Sequence, residues 1–176
     1  MILISFTAIS VLVIIDQLIK LYAKNNLLNV NNVVVIENIF RLRYVENTGA
    51  AFGILSEHRW VFISLTIIFL IIGIYFIITK KLTNKFYQSA VVFLVAGGIG
   101  NIIDRIFAGY VVDMFDLYFI NFAIFNFADI CVTVGCILLI IATFFSKEAV
   151  KPEKEAAKPE KEELNHEKVN EIDSDN

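Results

Sequence analysis

The chain has 176 residues, of which 57% are hydrophobic and 16 are Phe, and its two prolines, Pro152 and Pro159, both lie near its end. A long apolar body without proline, followed by a polar tail, indicates a single integral membrane domain. The net charge of −3 comes from the tail: residues 147–176 hold 6 Lys against 10 Asp and Glu, so residues 1–146 are nearly neutral and offer no basic face for nucleic acid.

Four apolar stretches approach the length of about 20 residues that a membrane-spanning helix needs. They cover roughly residues 2–22, 60–79, 86–104 and 124–145. The first stretch has no Lys or Arg in front of it and no small-x-small cleavage site, which favours an uncleaved membrane helix over a secretion signal. We therefore predict an all-α membrane domain over residues 1–146 with four transmembrane helices.

The distribution of lysine predicts the orientation of these helices. Lys80, Lys81 and Lys85 crowd the connection between the second and third stretches, and residues 147–161, just after the fourth stretch, hold five Lys. By the positive-inside rule both segments, and so both termini, are predicted to be cytoplasmic. The tail, residues 147–176, repeats KPEKE and has almost nothing to bury. We predict that it is disordered and dispensable for activity.

The pattern changes between the first and second stretches. Phe40 to Tyr44 alternate between apolar and charged, and Val33 to Ile36 are all β-branched, both of which are typical of strands. A small sheet over about residues 28–53 is therefore predicted on the outer membrane face. Near its end, residues 47–53 (NTGAAFG) favour a close turn whose backbone could hydrogen-bond a substrate.

Ionisable and amide side chains are expensive inside a membrane and indicate function by default. With the amino terminus inside, the groups within the predicted helices all fall near the outer membrane face, which points to a site. They are Asp16, Lys20, Asn101, Asp104, Arg105, Asn126 and Asp129.

Several of these residues also have ordinary structural explanations. Asp16 and Lys20 are one helical turn apart and could neutralise each other, and Asn101 and Asn126 could be interhelical hydrogen bonders. The glycines at 97, 98 and 100 favour close helix packing over phosphate binding. Two cysteines, at 131 and 136, are about 140° apart around a helix, too far for a disulfide or a shared metal.

Asp113 and Asp129 are harder to explain structurally, because each lies in an apolar segment without a neutralising residue close in sequence. Two carboxyl groups that meet in a low-dielectric site share one proton, so one remains protonated while the other is charged. Such a pair can deprotonate water and protonate a carbonyl oxygen. A proton relay remains an alternative explanation of the same residues.

Five blocks resemble lipoprotein signal peptidase, also called signal peptidase II, a bacterial aspartic peptidase of the cytoplasmic membrane. They are residues 16–20 (DQLIK), 45–53 (VENTGAAFG), 97–105 (GGIGNIIDR), 109–113 (GYVVD) and 125–129 (FNFAD). The resemblance implies a four-helix membrane domain with an extracytoplasmic β-cradle. It also implies removal of the signal peptide from diacylglyceryl-modified prolipoproteins, with cleavage just before the lipidated cysteine.

The resemblance implies roles for individual residues. Asp113 and Asp129 would be the catalytic dyad, and Asp104 would be structural or supporting. A further group would line or support the substrate site: Asp16, Lys20, Asn47, Gly49, Asn101, Arg105 and Asn126. The family uses no metal or other cofactor, works within membrane lipid, and is inhibited by globomycin.

The chain departs from the family pattern beside the dyad. Met114 stands where an aromatic residue is common, and residues 119–125 lack the usual Trp and Pro. These differences bear on the shape of the connecting loop and on inhibitor affinity. The alternative function is a proton-coupled transporter with Asp16, Asp113 and Asp129 as a relay, but such a path would need polar groups across the whole membrane, and the inner half of the spans has almost none.

Overall fold

The computed structural model describes residues 2–49, 59–120 and 122–145. Ala50 to Gly53 of the predicted turn and the predicted disordered tail lie outside these residues. In chain order the elements are helix α1 (Ile2–Leu27), strands β1 (Val33–Ile36) and β2 (Phe40–Asn47), helices α2 (Arg59–Thr79) and α3 (Lys85–Phe107), strand β3 (Val111–Asp116) and helix α4 (Phe127–Phe145). The predicted fold class, four membrane-length helices with a small sheet, is confirmed.

All four helices are long and apolar enough to cross a membrane. Helix α3 packs against the other three helices, and glycine permits the close approach. A Cβ at Gly97 would lie 2.4 Å from the carbonyl oxygen of Ala128 on α4, and one at Gly100 would lie 2.5 Å from Oδ2 of Asp16 on α1. This is the helix packing that the glycine-rich sequence favoured.

The sheet has the order β1-β2-β3 and is antiparallel throughout. Its first two strands form a hairpin whose turn includes Asn38, with a left-handed φ of 60°. The third strand, β3, comes from a segment that the sequence analysis treated as a plain connection. Five of its six residues are buried, including Asp113 and Asp116, so both faces of the strand are covered and its sequence lacks the alternation of a half-exposed strand.

The segment between β3 and α4 folds back so that its end pairs with β3. Phe125 pairs with Phe115 in an isolated antiparallel bridge, in which Phe115 N donates to Phe125 O at 2.8 Å and Phe125 N donates to Phe115 O at 3.1 Å. Because residue 125 is extended in this bridge, α4 begins at Phe127, three residues after the expected start near 124. Asn126 therefore lies directly between the sheet and the helix.

Candidate active site

Asn126 is the centre of a hydrogen-bond network and is completely buried. Its Nδ2 donates to Oδ1 of Asp113 at 2.7 Å and to Oδ1 of Asn101 at 3.1 Å. Its backbone N donates to Oδ2 of Asp129 at 3.1 Å. One side chain at the start of α4 thus joins residues from β3, α3 and α4.

Asp129 is held by the way in which α4 begins. Oδ1 of Asn126 accepts the backbone N–H of Asp129 at 3.0 Å, and Oδ2 of Asp129 accepts the backbone N–H of Asn126. This reciprocal pair is a capping box, with Asn126 at the N-cap and Asp129 at the third helical position. The positive end of the helix dipole favours a negative charge on this carboxylate.

Asp113 lies on β3 with only 2% of its surface exposed. Besides Asn126, its other donor is Nδ2 of Asn47, which lies 2.8 Å from Oδ2. Burial and, less strongly, the charge of Asp129 raise the pKa of Asp113 to about 6, against the opposing effect of the two amide donors and of the charge of Lys20. Asp113 is therefore the carboxyl group that burial favours in its protonated form.

Asn101 connects this pair to α1. Its Nδ2 donates to Oδ1 of Asp129 at 2.8 Å, while its Oδ1 accepts from Nζ of Lys20 at 3.0 Å and from Asn126. With two donors on its oxygen, the amide can present only its NH₂ group to Asp129. Lys20 thus orients Asn101 and does not contact either member of the Asp113–Asp129 pair.

A second cluster, which we call the α1–α3 knot, consists of Asp16, Gln17, Lys20 and Asp104. Nζ of Lys20 lies 2.9 Å from Oδ2 of Asp16 and 2.9 Å from Oδ2 of Asp104, and all three of these charged side chains are buried. Nε2 of Gln17 donates to both carboxylates at 3.1 Å. The expected Asp16–Lys20 pair is therefore present, but as part of a larger cluster.

The knot also reaches the backbone around the Asp113–Asp129 pair. Oδ1 of Asp16 accepts the N–H of Ala128, in the first turn of α4, at 2.9 Å, and Oδ2 of Asp104 accepts the N–H of Val112 on β3 at 3.2 Å. Its two carboxylates thus fasten the two elements that carry Asp113 and Asp129.

Asp113 and Asp129 open onto a cavity of about 610 Å³. Arg105 lines the cavity, donates from Nη2 to the carbonyl oxygen of Gly49 at 3.2 Å and stacks over the ring of Phe62 at 5.2 Å. Most of the remaining wall is apolar, with Ile130, Val132 and Val134 from α4 among its residues. The cavity therefore joins two carboxyl groups and a guanidinium to a surface suited to apolar ligands.

The structure brings together every site residue that the sequence analysis singled out. It also adds residues that the analysis missed. Gln17 could have been noticed as an amide beside Asp16 in an apolar helix. No sequence signal marked Phe62 or Phe122, which also line the cavity, because aromatic residues are common all along this chain.

The comparisons with known proteins identify the family. The family model described as "Signal peptidase (SPase) II" matches residues 8–145. The chain belongs to the signal peptidase II family. This match spans all four helices, the sheet and the network around Asn126, and it does not favour the alternative transporter function.

Relatives and solved structures agree with this signal peptidase II assignment. The chain is 40% identical to a lipoprotein signal peptidase of Clostridioides difficile over 78% of this chain and 92% of the relative. It is 42% identical to a lipoprotein signal peptidase of Streptococcus pyogenes over 74% of this chain and 86% of the relative. A solved bacterial membrane enzyme, 38% identical, superposes with a TM-score of 0.76 over 86% of this chain and 93% of that one. The protein is thus a multi-pass membrane peptidase.

Proposed function

We propose that this chain is an aspartic endopeptidase that removes the signal peptide from diacylglyceryl-modified prolipoproteins, cutting just before the lipidated cysteine. The observation that carries the proposal is that Asp113 and Asp129 both bond to Asn126 and both line the same cavity. They come from different elements, share Asn126 as a neighbour, and open onto one largely apolar cavity. Among the residues that the structure describes, their direct hydrogen-bond donors are three side-chain amides, from Asn47, Asn101 and Asn126, together with one backbone N–H, and none is a Lys or Arg.

The carboxyl groups divide the chemistry according to their surroundings. Asp113 carries the shared proton, because its burial favours the neutral form. Asp129, at the positive end of α4, is the base. It takes a proton from water, whose oxygen attacks the scissile carbonyl carbon, while Asp113 donates its proton to the carbonyl oxygen. A tetrahedral diol results.

Collapse of the diol completes the reaction. The carbonyl re-forms and the carbon–nitrogen bond breaks as its nitrogen takes a proton from Asp129. Asp113 regains a proton from the hydroxyl group that becomes the carbonyl, so the pair again holds one proton. The products are the signal peptide, with a new carboxylate, and the mature lipoprotein, with a new amino terminus. No metal is required, since the pair itself supplies both acid and base.

The remaining polar groups would hold the substrate in place. Arg105 already binds one backbone carbonyl, that of Gly49, and an extended peptide would present the same kind of acceptor. The apolar wall of α4 would take the signal peptide or the acyl chains of the modified cysteine. Globomycin would compete for this same cavity, and its affinity would depend on the loop between β3 and α4.

The orientation is proposed on the same grounds. With both termini in the cytoplasm, the carboxyl-terminal ends of α1 and α3 and the start of α4 would lie at the extracytoplasmic face. This is where a translocated prolipoprotein presents its cleavage site. Thiol labelling of intact cells would test it: a cysteine placed at Glu37 in a chain lacking Cys131 and Cys136 should react with a membrane-impermeant reagent.

Cleavage by the purified protein in detergent tests the activity. The lipidated prolipoprotein should be cut and the unmodified precursor left intact, with a chelator present throughout. Asp113→Asn and Asp129→Asn should both abolish the reaction, while Glu37→Gln, an exposed carboxylate of the hairpin, should leave it unchanged. Inhibition by the chelator, or full activity in either aspartate variant, would disprove the aspartic mechanism.

A further inference from the structure

One wall of the catalytic cavity belongs to the loop between β3 and α4. Four consecutive residues of this loop, 122–125, line the cavity beside Asp113 and Asp129. Local hydrogen bonds connect this wall to the start of the loop: Phe122 N donates to Ile120 O at 2.9 Å, and Ile120 N to Leu117 O at 3.4 Å. These bonds connect the wall to Leu117, the residue that immediately precedes Tyr118.

A cluster on the sheet, which we call the clasp, fixes the start of this loop. It consists of Arg41 on β2, Asp116 at the end of β3 and Tyr118. Arg41 and Asp116 are directly opposite in the strand pairing. Nε of Arg41 lies 2.6 Å from Oδ2 of Asp116, and its guanidinium carbon lies 4.8 Å from the centre of the Tyr118 ring.

The hydroxyl of Tyr118 ties the loop to the turn of the β1–β2 hairpin. It donates to Ile36 O at 3.3 Å and accepts the backbone N–H of Asn38. Only 8% of the Asp116 side chain and 29% of that of Arg41 are exposed. Partial burial strengthens this ion pair relative to a solvated one, so the clasp joins three parts of the chain at a single point.

The opposite face of the sheet carries a row of aromatic rings. Phe40 contacts Phe115 at 6.1 Å between ring centres, Phe115 contacts Phe125 at 5.7 Å, and Phe125 contacts Phe122 at 5.9 Å. Neighbouring residues of a strand point to opposite faces, so Phe40 and Arg41 hold the same loop from its two sides. The row packs against the wall itself, and the clasp fixes where the loop departs.

We infer that Arg41, Asp116 and Tyr118 are positioning residues that hold the 122–125 wall where it contacts the substrate near the scissile bond. This inference rests on the proposed peptidase activity. None of the three residues lines the cavity, so they would act through the wall. When the wall is released, only a fraction of the molecules has a competent cavity, and apparent affinity falls by that fraction.

Steady-state kinetics on the lipidated prolipoprotein test this inference. Arg41→Ala should raise KM by about tenfold and leave kcat per folded enzyme within about twofold, because the bound complex restores the wall before chemistry. Tyr118→Phe keeps the ring under Arg41 and loses the hydroxyl, so its rise in KM should be smaller, about threefold. Arg43→Ala, an exposed arginine of the same strand, is the matched control and should behave as wild type.

Coupled variants separate positioning from general loss of structure. Arg41→Ala alone leaves the Asp116 carboxylate buried without its partner, so the double variant with Asp116→Ala should have a lower KM than Arg41→Ala. Exchanging the two charges, Arg41→Asp with Asp116→Arg, should restore most of the affinity. A lowered melting temperature with unchanged KM would overturn the inference and leave the clasp a purely structural feature.

Asp113→Asn in the same assay separates the two proposals. If wild type cleaves, Asp113→Asn does not and KM is unchanged in the clasp variants, the peptidase proposal stands and the positioning inference fails. If Asp113→Asn cleaves as well as wild type, the catalytic proposal fails, and the positioning inference, which depends on it, is overturned with it.

Discussion

The molecule contains two pairs of carboxyl groups in one connected network, and the two pairs differ in the groups that bind them. Asp16 and Asp104 share the ammonium group of Lys20, which lies 2.9 Å from each, and both also accept hydrogen bonds from Gln17. Within the described part of the chain, the direct donors to Asp113 and Asp129 are side-chain amides and a backbone N–H. Lys20 thus supplies the opposite charge for the first pair, whereas in the second pair burial raises the pKa of Asp113 and favours its neutral form.

This contrast predicts a structural role for Asp16 and Asp104 and a chemical role for Asp113 and Asp129. The charged groups of the α1–α3 knot join α1 to α3, to the first turn of α4 and to β3. The Asp113–Asp129 pair is placed by those same elements and keeps its protons available. Breaking the first should therefore lower stability, and breaking the second should remove activity.

The largest expected effect is on the reactive pair. Asp129→Asn keeps the shape of the side chain and an oxygen for the capping box but removes the base. We expect kcat to fall by roughly 10³-fold, the scale of acid–base catalysis, with a melting temperature close to wild type. A fall in melting temperature matching the loss of rate would place Asp129 with the structural carboxylates instead.

Lys20→Met should have the largest effect on stability. It leaves the buried carboxylates of Asp16 and Asp104 without a cation, and breaking such a cluster costs about 3–5 kcal/mol. Denaturation of the purified protein in detergent would measure this loss. Lys24→Met, an exposed lysine one turn further along α1, is the control and should change little. Equal stabilities of the two variants would contradict the assigned role of the knot.

The pH dependence of activity tests the proton on Asp113. Its pKa of about 6 means that the pair loses its proton as pH rises through that value, so kcat/KM should fall tenfold per pH unit above about 6. Bound substrate excludes water and favours the neutral form, so the corresponding fall in kcat should occur at higher pH.

Asn47→Ala provides the variant for this measurement. Its amide stabilises the charged form of Asp113 and lowers its pKa, so removing it should move the fall in kcat/KM to higher pH. Thr48→Ala, the exposed neighbour, should leave the profile in place. A kcat/KM that rises with pH through this range, with the rise displaced to higher pH in Asn47→Ala, would mean that Asp113 acts in its charged form.

The smallest expected effect concerns Gln17. Replacement by Leu removes an amide shared by Asp16 and Asp104 but leaves Lys20, so the free energy of unfolding should drop by about 1–3 kcal/mol. Asn25→Leu, an exposed amide on the same helix, is the control. Activity per folded molecule should remain near wild type, because Gln17 contacts neither Asp113 nor Asp129 nor the cavity wall. A fall in kcat that the loss of stability does not explain would mean that Gln17 also takes part in the reaction.

The sequence by itself determined the membrane-spanning helices, the hairpin and the set of polar residues at the site. Apolar stretches of membrane length have few other folded solutions, β-branched residues mark β1, and alternation marks β2. Asp113 and Asp129 stood out because a carboxyl group in an apolar segment without a nearby cation is costly and needs a reason.

Only the tertiary structure decided how those residues are connected. Strand β3 carries no alternation because it is buried on both faces, and its partner β2 is more than 60 residues away in sequence, at separations such as Arg41 to Asp116. The assignment of Lys20 to two carboxylates, the capping box at Asn126 and the clasp on the sheet all depend on distances between elements. Periodicity reports which face of an element is buried, but not which neighbour it meets.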